Sequence, residues 1–252
     1  VVIFMRDVKS YIIKSLDMLL DGYPDLSKVF ESSYYFDDLN VPRVTKIIRR
    51  CIHSEGLMSW ANYMGFKHQS YTKILSHAAE VGSQCHARIN AFFEPKNKQP
   101  MQLLEEANYA YESFNKWYNY VCSVANVKPI LHEYTITCKY FGGTLDGLYR
   151  INDKVYIIDY KTSNHVDFDY MLQLAAYIFM LEGYEKITID GAIILQLSKS
   201  SIDYNEYALD FNDPKHKEFM NDCKNAFLIM TLWYYYLCYT EYAYNSLHLG
   251  GN

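Results

Sequence analysis

The chain has 252 residues, 50% of them hydrophobic and 21% charged, enough to bury one sizeable core and too apolar for a disordered chain. Its net charge of -5 excludes a general polyanion binder held by overall positive charge, so any nucleic-acid contact has to use a local basic groove. The six cysteines are scattered without a CxxC pair, which excludes a zinc ribbon, speaks against an iron–sulfur cluster and favours a reducing, intracellular compartment.

Residues 1–5 carry no basic residue ahead of their apolar stretch, so no signal peptide is expected, and the absence of an initiator methionine fits a trimmed or partial chain. Val8, Ile12, Leu16 and Leu19 share one face of a helix expected over 7–20, closed by Gly22, Tyr23 and Pro24. Further helices are expected over 44–51, 57–64, 71–93 and 101–124, separated by Gly56, Gly65 and Pro95. This helical region, 1–128, reads as one layer carrying most of the evident basic side chains, and 129–252 as a second region that completes the same compact domain.

From Ile130 the period changes to two, with Glu133, Thr135 and Thr137 on one face and Tyr134, Ile136 and Cys138 on the other. Strands follow over 142–151 and 155–161, joined by Asn152, Asp153 and Lys154. A helix over 168–181, a strand over 187–197, an edge strand over 204–211 and a closing helix over 213–244 complete the order. The fold class is therefore α/β, a mixed sheet flanked by helices. The uncharged run 225–240 is shorter than the roughly 20 residues that span a bilayer, so no membrane role is expected.

The chemistry concentrates in Gly143-Thr-Leu-Asp146-Gly147 and Ile157-Ile-Asp159-Tyr-Lys161. Asp159 and Lys161 are two apart on a strand and project from one face, and Asp146 lies on the neighbouring strand. Two carboxylates about 4 Å apart repel by roughly 1 kcal/mol even in water, so they call for a cation or a proton. Hard oxygen ligands suit Mg²⁺ or Mn²⁺, which take up phosphate oxygens, and a lysine can orient water or neutralise developing charge. Phosphodiester hydrolysis is the reaction this set supports. No Gly-rich phosphate loop accompanies it, so no nucleotide cofactor is expected.

Gly-Thr-Leu-Asp146, Ile-Asp159-Tyr-Lys161-Thr-Ser and Gln173-Leu-Ala-Ala-Tyr177, in this order, resemble the PD-(D/E)xK nuclease superfamily. Within it the RecB-like and Cas4-like branch is nearest, and closest of all the mitochondrial genome maintenance exonuclease type. The resemblance runs over 41–230. It implies a restriction-endonuclease-like core, with Asp146, Asp159 and the Tyr160 carbonyl as metal ligands, Lys161 as catalytic lysine, and Gln173 and Tyr177 supporting the site. Gly82-Ser-Gln-Cys-His86 is similar to a stretch whose histidine lies at the metal, and Glu133 occupies a strand where a carboxylate recurs near it. The four-cysteine cluster of many Cas4 nucleases is missing.

The resemblance implies a DNA exonuclease acting on a free single-stranded end threaded through a helical arch, here nominated over 41–93. Lys46, Arg49 and Arg50, with Trp60 nearby, offer phosphate-reading cations and a stacking ring. Replication or recombination proteins are its expected partners. A structure-selective endonuclease of the same superfamily and a non-catalytic DNA-binding module are the competing expectations.

Overall fold

The protein is described by a computed structural model covering residues 2–23, 34–52, 55–94 and 103–249. The helices are α1 (Val2–Gly22), α2 (Val44–Cys51), α3 (Glu55–Phe66), α4 (Tyr71–Phe93), α5 (Glu105–Val124), α6 (Phe168–Gly183) and α7 (Pro214–Leu249). A short hairpin, β1 (Tyr34–Phe36) and β2 (Leu39–Val41), precedes α2. The main sheet holds β3 (Val127–Thr137), β4 (Gly142–Ile151), β5 (Lys154–Lys161), β6 (Gly191–Leu197) and β7 (Tyr204–Asp210) in that spatial order. It is mixed: only β5 and β6 are parallel, and α6 makes the crossover between them.

Alternation along β5 explains why the sheet is covered twice. Val155 and Ile157 face a core built with α1, α2, α6 and α7, whereas Ile158 and Tyr160 face a second core built with α4 and α5. Trp117 and Phe114 of α5 and Leu16 of α1 are fully buried, each stabilising by roughly 1.5–3 kcal/mol. The helical region thus does not form one layer. α1 and α2 join α6 and α7 on one face, and α4 and α5 cover the other.

One irregularity positions the site. β4 stays paired with β3 down to Gly142↔Thr137, and β5 stays paired with β6 out to Lys161↔Gln196. The ladder between β4 and β5, however, stops at Gly147↔Ile158. Beyond that pair the two halves of the sheet fork, and Asp146 and Asp159 are the first residues past the branch point.

Several boundaries differ from the sequence reading. α3 contains Gly56 and Gly65, which therefore do not separate helices. α1 and α7 are longer than expected, α5 begins at Glu105, and β6 begins only at Gly191. β3 starts at Val127 and takes Pro129 into an edge strand, where its missing N–H is tolerated beside an irregular register at Ile130. Pro24, Pro95 and Met101 lie outside the described residues. Among the described residues, no helix is long and apolar enough to cross a membrane.

Candidate metal centre

At the fork, Asp146 Oδ2 accepts the backbone N–H of Tyr160 at 2.8 Å. The side chain thereby replaces the backbone acceptor that β4 no longer supplies. One position earlier on β5, Asp159 is 2% exposed and its Oδ2 lies 2.6 Å from Lys161 Nζ. This is a tight, buried ion pair, and no donor other than the Lys161 ammonium reaches either Asp159 oxygen. Lys161 Nζ also donates to Gln173 Oε1 at 3.2 Å, and Gln173 Nε2 donates to Tyr177 OH at 3.3 Å. The two α6 residues share a helix face because they are four apart. The Tyr177 ring can lie against β4 because Gly143 has no side chain: a Cβ there would come within 2.7 Å of it.

The other layer contributes His86 from α4. Its Nε2–H donates to the Tyr160 carbonyl at 3.0 Å, while Nδ1 lies 3.2 Å from Asp146 Oδ1 and 3.4 Å from Glu133 Oε1. Both ring nitrogens face acceptors, which suits the imidazolium. Burial alone would depress its pKa, but Asp146 and Glu133 outweigh that and lift it to about 10. Glu133 reaches the group from an unusual backbone conformation, φ 42°, in the middle of β3 and opposite Asp146. A glutamate held in the left-handed region inside a strand carries a conformational cost of order 1–3 kcal/mol, which is the mark of a built site.

Burial pushes the Asp159 carboxyl up to about 6, and the charge of Asp146 adds to this while Lys161 opposes it. Asp146 is also penalised by burial, yet His86, Lys161 and the Tyr160 N–H hold it below the usual carboxylate range. Lys161 is raised although burial opposes it, because Asp159 and Asp146 favour the ammonium. Three carboxylates thus face two cationic side chains.

The donor set fits a hard divalent cation. One ligand atom each from His86, Glu133 and Asp146 all lie within 4.8 Å of one another. The sequence reading centred on Asp146 with Asp159. The tightest ligand group instead joins Asp146 to His86 and Glu133, and Asp159 turns to the Lys161 ammonium two residues along the same strand face. Asp159, with two buried oxygens met only by the Lys161 ammonium, remains a suitable further ligand at the same fork.

Lys46, Arg49, Arg50 and Trp60 are not brought to this centre. The first three are exposed on α2, whose buried face, Val44, Ile47 and Ile48, packs inward. Arg50 pairs with Glu241 of α7, and Lys46 and Arg50 both act on Cys238 of that helix. Trp60 lies half-buried on α3, which packs on α4. The sequence reading missed Tyr170, whose ring centroid lies 4.7 Å from Lys161 Nζ and whose hydroxyl donates to Ser163 Oγ at 3.1 Å. Its only sequence signal is its position three residues before Gln173, on the same helix face. An open cleft of about 460 Å³, lined by Gly82, Ser83, His86, Ala87, Asn90 and Glu133, leads to the cluster from solvent.

No protein-family model and no curated protein matches the chain. Among solved structures, one titled "Crystal structure of SSO0001" is similar over 85% of this chain and 85% of that one, with 13% identity and a TM-score of 0.35. The functional reading is therefore carried by the chain's own geometry.

Proposed function

We propose that the protein is a divalent-metal-dependent nuclease of the PD-(D/E)xK type that hydrolyses DNA phosphodiesters, acting from a free single-stranded end. The observation that carries this reading is the pairing of Asp146 and Asp159 at a strand fork with the Lys161 ammonium, under a ring of further oxygen and imidazole donors. Asp146, Glu133, Asp159 and the Tyr160 carbonyl are the groups that would hold Mg²⁺ or Mn²⁺, with His86 joining them once the ion displaces its Nδ1 proton. When bound there, such an ion supplies Lewis-acid charge to a phosphoryl oxygen and makes a neighbouring water more acidic.

The chain's own residues then have distinct tasks. Lys161 holds its ammonium beside Asp159, where it orients the attacking water and offsets negative charge developing on the phosphoryl group. Gln173 fixes that ammonium from the side, and Tyr177 fixes Gln173. His86 occupies the solvent side of the cluster, next to the open cleft through which a strand can approach.

Support for substrate guidance comes from the hairpin of α3 and α4. Phe66 is 87% exposed at its tip, Tyr63 and Tyr71 are exposed beside it, and Lys67 lies over the Tyr63 ring. Rings with an adjacent cation suit unpaired bases, worth roughly 1–3 kcal/mol per stacked base. α4 leads from this tip to His86, so a strand held at one end is directed toward the other.

The test is digestion of end-labelled linear and covalently circular single strands with Mg²⁺ or Mn²⁺, with and without EDTA. Cutting of the linear strand alone, abolished by chelator, is the expected result. Cleavage of circles would favour an endonuclease, and cutting that persists in EDTA would remove the assignment.

A further inference from the structure

The solvent face of α7 changes character along its length. Its early exposed positions, Lys215, Glu218 and Asp222, are charged. From there on it carries Ile229, Trp233, Tyr236, Tyr244 and Leu247, each about half exposed or more, at 51%, 56%, 49%, 59% and 81%. Thr240, also exposed, joins them into one stripe, spaced four, three and four from Ile229 to Thr240 and four and three from there to Leu247. Met220, Cys223, Phe227, Tyr234 and Tyr235 are buried on the opposite face, so from Ala226 to Tyr239 the helix is apolar on nearly every side, Thr231 apart, with exposed Glu241 and Asn245 beyond. A helix of that kind is ordinarily covered on every side. Single exposed apolar side chains are normal, but a contiguous stripe marks a contact surface.

α1 widens the surface. It runs alongside α7, with Lys9 close enough to feel the charge of Lys224 and the Tyr23 ring packed on Tyr239. Its Tyr11 and Met18 are 73% and 67% exposed.

We propose that this α7 face, flanked by α1, is the interface of a two-fold dimer, and that its occupant is a second copy of the same chain. Three observations favour a copy over another partner. The segment 225–240 carries no charged side chain, so two identical faces meet there without like-charge repulsion although each chain carries a net -5. The alternating spacing from Ile229 to Thr240 is that of a seam in which side chains of one helix enter gaps of another, and a two-fold axis pairs the same stripe with itself. The area is the third: taking half of the 150–250 Å² that a large aromatic side chain buries, Tyr11, Trp233, Tyr236 and Tyr244 alone offer roughly 400 Å² per chain. That is about 800 Å² for the pair before Ile229, Leu247 and Met18 are added, the scale of a reversible, concentration-dependent dimer. This proposal does not depend on the nuclease reading.

Sedimentation velocity of the full chain from about 1 to 100 µM tests it. The expected result is a reversible shift from the 29.6 kDa monomer to a species of twice that mass. The double substitution Trp233→Glu, Tyr236→Glu places like charges on both copies and is expected to hold the chain monomeric over the whole range. Both side chains are exposed, so at about 1 µM, where the parent is itself monomeric, its thermal midpoint should match the parent's, which separates lost association from lost folding. A parent chain that stays monomeric at 100 µM overturns the proposal, as does a dimer that survives the double substitution. A monomer that instead binds poly(dT) or anionic vesicles through Trp233 also overturns it, assigning the face to a nucleic-acid strand or a lipid surface.

Discussion

The Asp146 carboxylate and the Tyr160 N–H meet at 2.8 Å where β4 and β5 part company. One carboxylate oxygen therefore has a structural task, completing a backbone hydrogen bond, and the other faces His86 at 3.2 Å. A neutral side chain of the same shape could keep the first task and lose the second. That division makes the fork testable one group at a time.

Lys161→Ala should leave oligonucleotide affinity within a few-fold of the parent while cleavage falls by about 10²–10⁴-fold, the usual range for a positioned polar group at a reacting centre. Fluorescence anisotropy in Ca²⁺ and a gel-based rate in Mg²⁺ measure the two quantities. Near-parental turnover would remove Lys161 from the mechanism.

Tyr170 acts on Lys161 through its ring face and so separates the phenyl group from the hydroxyl. Tyr170→Leu should lower kcat by about 2- to 30-fold, matching a cation–π contact of roughly 0.5–2 kcal/mol. Tyr170→Phe should recover most of that loss with KM little changed. Equal damage from both substitutions would show that the ring contact is immaterial.

Mn²⁺ should raise the melting temperature of the chain in a concentration-dependent way, each tenfold excess over Kd adding about 1.4 kcal/mol. Asp159→Asn preserves shape and removes charge from a buried carboxylate met only by the Lys161 ammonium. Its metal-induced shift should be clearly smaller than the parent's in scanning calorimetry. An identical shift would place the ion away from Asp159.

Gly143→Ala should destabilise the fold by about 1–3 kcal/mol, because the new methyl meets the Tyr177 ring within 2.7 Å in a packed layer. Urea unfolding measures the loss. Tyr177→Ala in the same background should relieve part of the clash, so the two effects should be less than additive.

Burial pushes the Cys138 thiol up from 9.0 to about 12. In the unfolded chain this group ionises near 9, whereas the fold retains its proton until about pH 12. Its stability contribution is therefore complete below pH 9 and is lost as pH rises toward 12, by at most about 1.4 kcal/mol per unit. Urea midpoints under reducing conditions should fall steeply between pH 8.5 and 10.5, and Cys138→Ala should flatten that slope. A midpoint independent of pH would contradict the burial argument.

β5 was readable because two physical signals coincide there: Ile157 and Ile158 demand a core, and Asp159 and Lys161 need a reason to enter it. The helix over 168–181 was expected, but Gln173 and Tyr177 stood out only through the family resemblance, since almost every side chain around them is buried. The β1–β2 hairpin was not, since its strands have three residues each and its turn uses Asp37 and Asp38, both at positive φ, in place of the usual Asn-Gly signal. Nor does an amphipathic pattern say which side of a sheet a helix covers, so α1 and α4 were assigned to one layer when they lie on opposite faces. Lys46, Arg49 and Arg50 were legible as exposed cations, and only the tertiary fold reveals that Lys46 and Arg50 neighbour α7. The left-handed backbone of Glu133 left no trace in residue type.

The fork also has a mechanical consequence. Past Gly147 and Ile158, the strand bearing Asp146 belongs to one ladder and the strand bearing Asp159 to another, and no main-chain rung ties the two prongs together. A small change of twist in either prong widens or narrows the gap between the aspartates while every rung within each prong stays intact. The aperture is thereby adjustable at the cost of one side-chain tether, that from Asp146 to Tyr160.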